Sequence, residues 1–416
     1  MNDAVSDILV INVNMIQAVA LAVVMYYLGV WIKSKVQILE RYSMPSPVVG
    51  GMICAVTLST LQHFQIMKVN FDGTLQSLLM LAFFTTIGLM ASVRVVKQGG
   101  KLLLGFFIAV SVLAVIQNVL GMSLATIMGL DPHYGLLAGS VSMMGGLGTS
   151  AAFGPYFEET YGIVGGTAVA ITSATFGMVA ALMIGTPFGE WLIRKYKIKT
   201  PKSVGDPEPT LHVPDDMHAG IMGERAAEKP SMTPDMMKAV GIVAICMGLG
   251  SIVSSLLGQV ITLPAYIGSM IVAAVIRNLS DLEKGKAFRI EDKSLNTVAD
   301  ITLVLFVTMA VNSLKLHELV NLAVPMMVIL AAQTVLMLVF AWGVLFGLFK
   351  REYDTVMLTV GGIGFSMGAT ANGLANMQAM AEKYGSSPKA WLIVSLVGAF
   401  LIDFVNAVVI TTMGAM

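Results

Sequence analysis

The sequence predicts an all-α polytopic membrane protein: five plus five transmembrane helices in an inverted repeat, each half with one re-entrant hairpin. Three observations carry that prediction. The chain of 416 residues is 56% hydrophobic and only 12% charged, against about 25% charged in an ordinary soluble domain, and apolar runs of membrane-spanning length recur from end to end. Short motifs repeat in the same order in the two halves. Two glycine-rich stretches, "GGLGTSAAFGP" (145–155) and "GGIGFSMGATANG" (361–373), lie deep inside the apolar sequence.

The elements follow in order. The N-terminus, MNDAVSD, lacks the basic region of a signal peptide, so the first apolar stretch is read as a retained helix. Apolar segments fall near 8–31, 46–62, 75–93, 102–128, 134–156 and 163–190. A polar, proline-rich stretch over 192–236 reads as a solvated linker. Six more apolar segments follow, near 238–259, 263–279, 295–314, 319–349, 353–379 and 389–414. The expected organisation is a first repeat (1–191) with a re-entrant hairpin near 134–156, a cytoplasmic linker (192–236), and a second repeat (237–416) with a hairpin near 353–379.

The repeat rests on five matched motifs. "GGMI" (50–53) pairs with "GSMI" (268–271), "FTTIG" (84–88) with "FVTMA" (306–310), and "QNVL" (117–120) with "QTVL" (333–336). "GGLGTS" (145–150) pairs with "GGIGFS" (361–366), and "ETYG" (159–162) with "EKYG" (382–385). Charge then separates hairpins from full crossings, because basic residues are retained in cytoplasmic loops. With both glycine-rich segments as hairpins and the N-terminus outside, 23 of the 25 Lys and Arg face the cytoplasm, and only Lys68 and Lys315 lie outside. A full crossing at the first segment would export the basic linker. Five crossings per half is an odd number, so the halves are inverted and the hairpins dip in from opposite sides.

Non-helical backbone at membrane depth is tolerated only where protein or a wet cavity covers it. Glycine permits the turn and lets a ligand approach the backbone. Short helices at each tip offer N–H groups to anions, while unwound carbonyls favour cations such as Na⁺. Paired broken elements in inverted halves point to a transporter's binding site. Close helix packing through small residues is the plainer reading of the glycines, but it does not explain the charge parity. Nor does it explain the hydroxyls and amides at the tips: Thr149, Ser150, Ser366, Thr370, Asn372 and Asn376.

A second constellation is intramembrane. Asp300 is near the start of one crossing; Asp403 is in the middle of the last, with Asn406 one turn later on the same face. Asp403 and Asn406 suit Na⁺ or a substrate ammonium; the alternative for either aspartate is a purely structural role. Thr85, Thr86 and Thr308, and likewise Gln117 and Gln333, sit in matched crossings, where ligand contact and interhelical hydrogen bonding are equal readings. Zero net charge gives no pointer to nucleic acid. Cys54 and Cys246 show no pairing or metal-ligand spacing, and no hydrolase triad, Walker motif or dinucleotide fingerprint is present.

The stretches "LLAGSVSMMGGLGTSAAFGPYFEETYG" and "GFSMGATANGLANMQA", with the later "EKYGSSPKAW" and "FLIDFVNAV", resemble the bacterial sodium/glutamate symporters. The resemblance covers most of the chain. It implies Na⁺-coupled uptake of L-glutamate across the inner membrane, two re-entrant loops, a homodimer in the lipid bilayer, an elevator-type motion, and no cofactor beyond Na⁺ as coupling ion. It departs at Leu147, where a histidine is expected. It agrees with the reading of the residues, in which the candidate substrate contacts are Gly145, Gly146, Gly148, Thr149, Ser150, Gly364, Ser366, Gly368, Thr370, Asn372 and Asp403. Sodium falls to Asn376, Asp403, Asn406, Asp300, Thr86 and Thr308. Both termini are expected in the periplasm. The rival readings are a Na⁺-coupled carrier of di- or tricarboxylates such as citrate or malate, and, from another class, an ion channel. An enzyme is not expected, since no nucleophile stands with a base or metal cluster.

Overall fold

In the computed structural model, residues 9–41, 44–93, 100–201, 233–257, 265–282, 292–316 and 322–416 are described. Most of the expected linker, 202–232, therefore lies outside the described residues. The chain is mostly helical, but its first element is not a helix. Strand β1 (Leu9–Val13) pairs in parallel with β2 (Met67–Phe71), from Leu9 opposite Met67 to Val13 opposite Phe71. The mostly helical class stands with this short ribbon added to it, and the helix start expected near residue 8 moves to Met15. The segment LVINV is rich in β-branched residues, which fit a pleated surface; an apolar run joined to a longer one cannot be told apart by hydropathy alone.

Helix α1 (Met15–Lys35) begins where Asn14 caps it. The Asn14 Oδ1 accepts from the N–H groups of Ile16 and Gln17 at 3.1 and 2.9 Å, and the Gln17 side chain accepts from the Asn14 N–H at 3.1 Å. A short α2 (Gln37–Arg41), α3 (Ser46–His63), α4 (Thr74–Met90) and α5 (Gly100–Ile127) follow. Next comes a broken pair. Its first leg, α6 (Pro132–Leu136), widens into a π turn over Leu137–Val141; after a turn at 142–145 its second leg, α7 (Gly146–Tyr161), begins. The long α8 (Gly166–Tyr196) closes the first half.

The second half runs through α9 (Thr233–Leu257), α10 (Ala265–Leu282), α11 (Asp292–Asn312), and α12 (Ala323–Phe340) with a π turn over Ala341–Leu345. The second broken pair is α13 (Tyr353–Met367) and α14 (Thr370–Tyr384). The chain ends in α15 (Pro388–Leu396), a π turn over Val397–Leu401, and α16 (Ile402–Gly414). Among the described residues, six helices are long and apolar enough to cross a membrane: Met15–Lys35, Gly100–Ile127, Gly166–Tyr196, Pro234–Leu256, Lys293–Asn312 and Ala323–Leu345.

The helices sort into two bundles, each drawn from both halves. In one, α1, α3 and α4 pack with α9, α10 and α11. In the other, α5, the first broken pair and α8 pack with α12, the second broken pair and α15–α16. The second bundle holds most of the largest apolar core, including Phe106, Phe153, Phe157, Met357, Phe365, Met377 and Ile410. The bundles meet on a smaller cluster. Val48, Phe306, Val307 and Val311 of the first bundle face Ala151, Ala168 and Ile171 of the second, with Leu147 packed against them.

Candidate ion and substrate site

The ends of each broken pair lie together. The His133 ring stacks on Tyr161 at 4.5 Å between centroids, and the Tyr134 hydroxyl donates to the Val164 carbonyl at 2.8 Å. The Tyr353 hydroxyl donates to the Gly385 carbonyl at 2.6 Å. The legs α13 and α14 touch so closely that a Cβ on Gly364 would stand 2.3 Å from the Gly373 Cα.

Helix α8 relates the two pairs. Its start is tied to the mouth of the first, where the Thr167 N–H donates to Glu158 at 2.7 Å. Its far end meets the mouth of the second, where Lys383 bonds Glu190 at 2.6 Å. That contact raises the Lys383 ammonium above its ordinary pKa. At about 1.5 Å per residue, the helix separates the mouths by tens of ångströms. Between them Gly177 brings α8 against the second break, where a Cβ would stand 2.1 Å from the Met367 carbonyl. The Asn372 amide donates to the Met178 carbonyl at 3.1 Å, and the Asn376 amide to Ala181 at 2.9 Å.

The two breaks meet here. Gly146 adopts φ +61°, and a Cβ on it would lie 2.6 Å from the Gly368 carbonyl oxygen. Left-handed backbone and missing space both require glycine. Helices α7 and α14 start at this meeting point, and neither has a side-chain cap. The Gly146 N–H donates to the Ser142 carbonyl at 3.1 Å, and those of Asn372 and Gly373 to the Ala369 carbonyl at 2.9 and 3.2 Å; the other N–H groups of each first turn have no preceding turn to bond and lie at the positive ends of both helix dipoles.

Around the breaks lies a buried polar chain. The Gln117 amide donates to the Ser366 carbonyl at 2.9 Å, and the Gln333 amide to the Gln117 carbonyl at 2.7 Å. The Asn406 amide donates to the Ser140 carbonyl at 3.0 Å, and the Ser140 N–H to Asn118 Oδ1 at 2.7 Å. Several oxygens in this chain are buried without a hydrogen-bond partner: Gln117 Oε1, Gln333 Oε1, Ser140 Oγ, Ser366 Oγ and Asn406 Oδ1. Such oxygens are hard donors of the kind alkali cations prefer over nitrogen or sulfur.

The expected site residues divide accordingly. Gly145, Gly146, Gly148, Thr149, Ser150, Gly364, Ser366, Gly368, Thr370 and Asn372 line or support the breaks. Ser150 is occupied within its own tip, donating to Ser142 Oγ at 3.4 Å. The Thr370 hydroxyl donates to Gly398 at 2.5 Å, linking the second break to the turn just ahead of Asp403. Asn376 is engaged at both ends of its amide, since Thr186 donates to its Oδ1 at 3.4 Å. Asp403 is half-buried and makes no hydrogen bond or ion pair among the described residues. Thr85, Thr86 and Thr308 are buried, and each hydroxyl donates within its own helix, to Leu81, Phe83 and Val304 at 2.7, 2.6 and 2.7 Å. Asp300 is exposed on α11, one turn before Leu303, which lies 3.4 Å from a Cβ placed on Gly148. No hydrogen bond joins Asp300, Thr86 or Thr308 to the breaks among the described residues.

A sequence profile for the sodium/glutamate symporters matches residues 11–386. This chain belongs to the sodium/glutamate symporter family. The sodium/glutamate symporter of Escherichia coli (strain K12) is 38% identical over 389 residues, covering 92% of this chain and 93% of that protein. That of Haemophilus influenzae is 34% identical over 393 residues, covering 94% and 95%. Members of the sodium/glutamate symporter family are transporters rather than enzymes.

Sequence reasoning overlooked Asn118 and Ser140. Both stand inside quoted motifs, Asn118 beside Gln117 in QNVL and Ser140 in LLAGSVSMM. The available signal was a polar residue in an apolar helix. Leu147, found where a histidine was expected, packs into the apolar seam between the bundles.

Proposed function

We propose that the protein is a Na⁺-coupled L-glutamate symporter of the bacterial inner membrane, working by alternating access of the elevator type. The observation that carries this reading is the meeting of Gly146 with the Gly368 carbonyl, where two uncapped helix starts converge partway along α8. In this reading the broken pairs are re-entrant hairpins opening to opposite faces of the membrane. Their mouths, at the two ends of α8, support that arrangement. Ten helices would make five crossings per half, in domains bounded at 191 and 237, with both termini periplasmic and the linker cytoplasmic.

Glutamate brings two carboxylates and one ammonium. Its carboxylates would take the N–H groups at the starts of α7 and α14, with Thr149, Ser366 and Thr370 beside them. Its ammonium would take Asp403, whose carboxylate has no partner among the described residues. Sodium would take the unpartnered oxygens near Ser140 and Asn406, with Asn376, Asp300, Thr86 and Thr308 as further candidates. Glutamate carries one net negative charge, so one Na⁺ makes transport electroneutral. A second adds about 2.3 kcal/mol per 100 mV of membrane potential.

The seam between the bundles is where the elevator would move. The second bundle presents Ala151, Ala168 and Gly148 to the first together with Ile171 and Leu147, an apolar face that holds the seam by packing. The first bundle would then be the fixed scaffold of a homodimer. Uptake in proteoliposomes tests the whole reading, with labelled glutamate, aspartate and citrate under Na⁺, Li⁺ or H⁺ gradients. Glutamate uptake driven by Na⁺ is expected; citrate uptake without glutamate uptake would reassign the protein to the di- and tricarboxylate carriers.

A further inference from the structure

A cavity of about 470 Å³ opens between the two bundles at the mouth of the first broken pair. Its walls are the end of α3, β2, the start of α4, the end of α7 and the chain leaving α11. The volume is in the range of small-molecule sites. Lys68 and Lys315, from opposite halves of the sequence, both line it. These are the two basic residues that the charge distribution leaves on the periplasmic side; all other Lys and Arg are assigned to the cytoplasm.

A second observation is independent of charge. Asn312, also in the lining, is 2% exposed, and both its Nδ2 and its Oδ1 lack a hydrogen-bond partner. A buried carboxamide left unsatisfied at both ends is costly, and such groups are usually kept for a ligand or water. Glu159 adds an exposed carboxylate, while the neighbouring Glu158 is engaged by the Thr167 N–H.

We propose that this cavity is an outer capture site for a zwitterionic dicarboxylate, filled before the solute reaches the meeting point of the breaks. Lys68 and Lys315 take the two carboxylates, Glu159 faces the ammonium, and the Asn312 carboxamide completes the polar wall. The proposal rests on the reading of the protein as an importer of acidic amino acids. The site acts on capture rather than translocation: each ammonium pairs with one carboxylate of the solute, and salt weakens such exposed pairs, while Glu158 and Glu159 in the same lining balance the two lysines.

Initial rates of labelled L-glutamate uptake by the full chain test this in right-side-out vesicles. The Na⁺ gradient is fixed, and choline chloride varies the ionic strength. The expected result for Lys68→Gln/Lys315→Gln is a KM raised about 10-fold at unchanged kcat, with a flat salt dependence. Lys68→Arg/Lys315→Arg should keep the wild-type KM. The wild type itself should lose kcat/KM as salt rises, which needs no variant to fold. An unchanged KM in the Gln pair, a fall in kcat at unchanged KM, or a salt-independent wild type would each overturn the capture site. Absence of glutamate uptake by the wild type would instead remove the transport reading beneath it.

Discussion

The Gly368 carbonyl oxygen lies 2.6 Å from where a Cβ on Gly146 would stand, and Gly146 itself is left-handed at φ +61°. Two backbones, remote in sequence, therefore meet with no side chain between them. Gly146→Ala would have to bear about 1–2 kcal/mol of left-handed strain and also push Gly368 away. Loss of Na⁺-driven uptake is expected, in protein that still elutes as a folded species from size-exclusion chromatography. Normal uptake would show that this contact is not needed for transport.

Asp403 is a half-buried carboxylate with no partner among the described residues, and Thr370 ties the second break to the turn ahead of it. Asp403→Asn keeps the shape and removes the charge. Uptake of glutamate under a Na⁺ gradient should fall by at least ten-fold, roughly the loss of one charge-assisted hydrogen bond. Undiminished Na⁺-dependent uptake would take Asp403 out of the site.

Gln117→Leu removes the amide that serves the Ser366 carbonyl and leaves that carbonyl buried without its side-chain donor. A destabilisation of about 1–3 kcal/mol is expected, read as a lower thermal unfolding midpoint in detergent. The Gln117 backbone carbonyl, which accepts from Gln333, is untouched by the substitution.

Acid should loosen the mouth of the first broken pair. Burial pushes the Asp131 carboxyl up, but the His133 backbone N–H and ring outweigh it and hold the group below its ordinary value. A carboxyl depressed in the folded state contributes stability above its unfolded pKa of about 4. That contribution is lost as pH falls through the folded pKa. Asp131→Asn still caps the helix but has nothing to titrate. Thermal midpoints measured from pH 6 to pH 3 should therefore decline less steeply in the variant than in the wild type.

The mouths of the two broken pairs should be reachable from opposite sides of the membrane. Thr160→Cys and Glu382→Cys place thiols at exposed positions beside each mouth. The native Cys54 and Cys246 are buried and add little background. An impermeant maleimide should label Thr160→Cys from outside intact cells and Glu382→Cys only in inverted vesicles. Labelling of both from one side would dismantle the inverted arrangement.

Much of this was legible in the sequence for a physical reason. Membrane depth forbids unpaired backbone, so the glycine clusters at 145–148 and 361–364 announced the breaks. The charges supplied an expected parity for them, which the maleimide labelling tests. Helices α7 and α14 run on to Tyr161 and Tyr384, past the apolar stretches that end near 156 and 379, because their last turns are polar and hydropathy fades there. β1 was hidden by its own apolarity. The bundle assignment was not legible either. Which helices pack together depends on side-chain fit across hundreds of residues, and local periodicity does not contain it. For the same reason the hydrogen bond by which the Asn376 amide ties α14 to the Ala181 carbonyl of α8 could not be foreseen.

The interleaving of the halves bears on how such a molecule is assembled. Neither bundle is complete until helices from after the linker have been synthesised, so the first half leaves the ribosome with polar tips facing lipid and nothing to cover them. A gene cut within 202–232 should yield two fragments that degrade when made alone and rescue one another when made together.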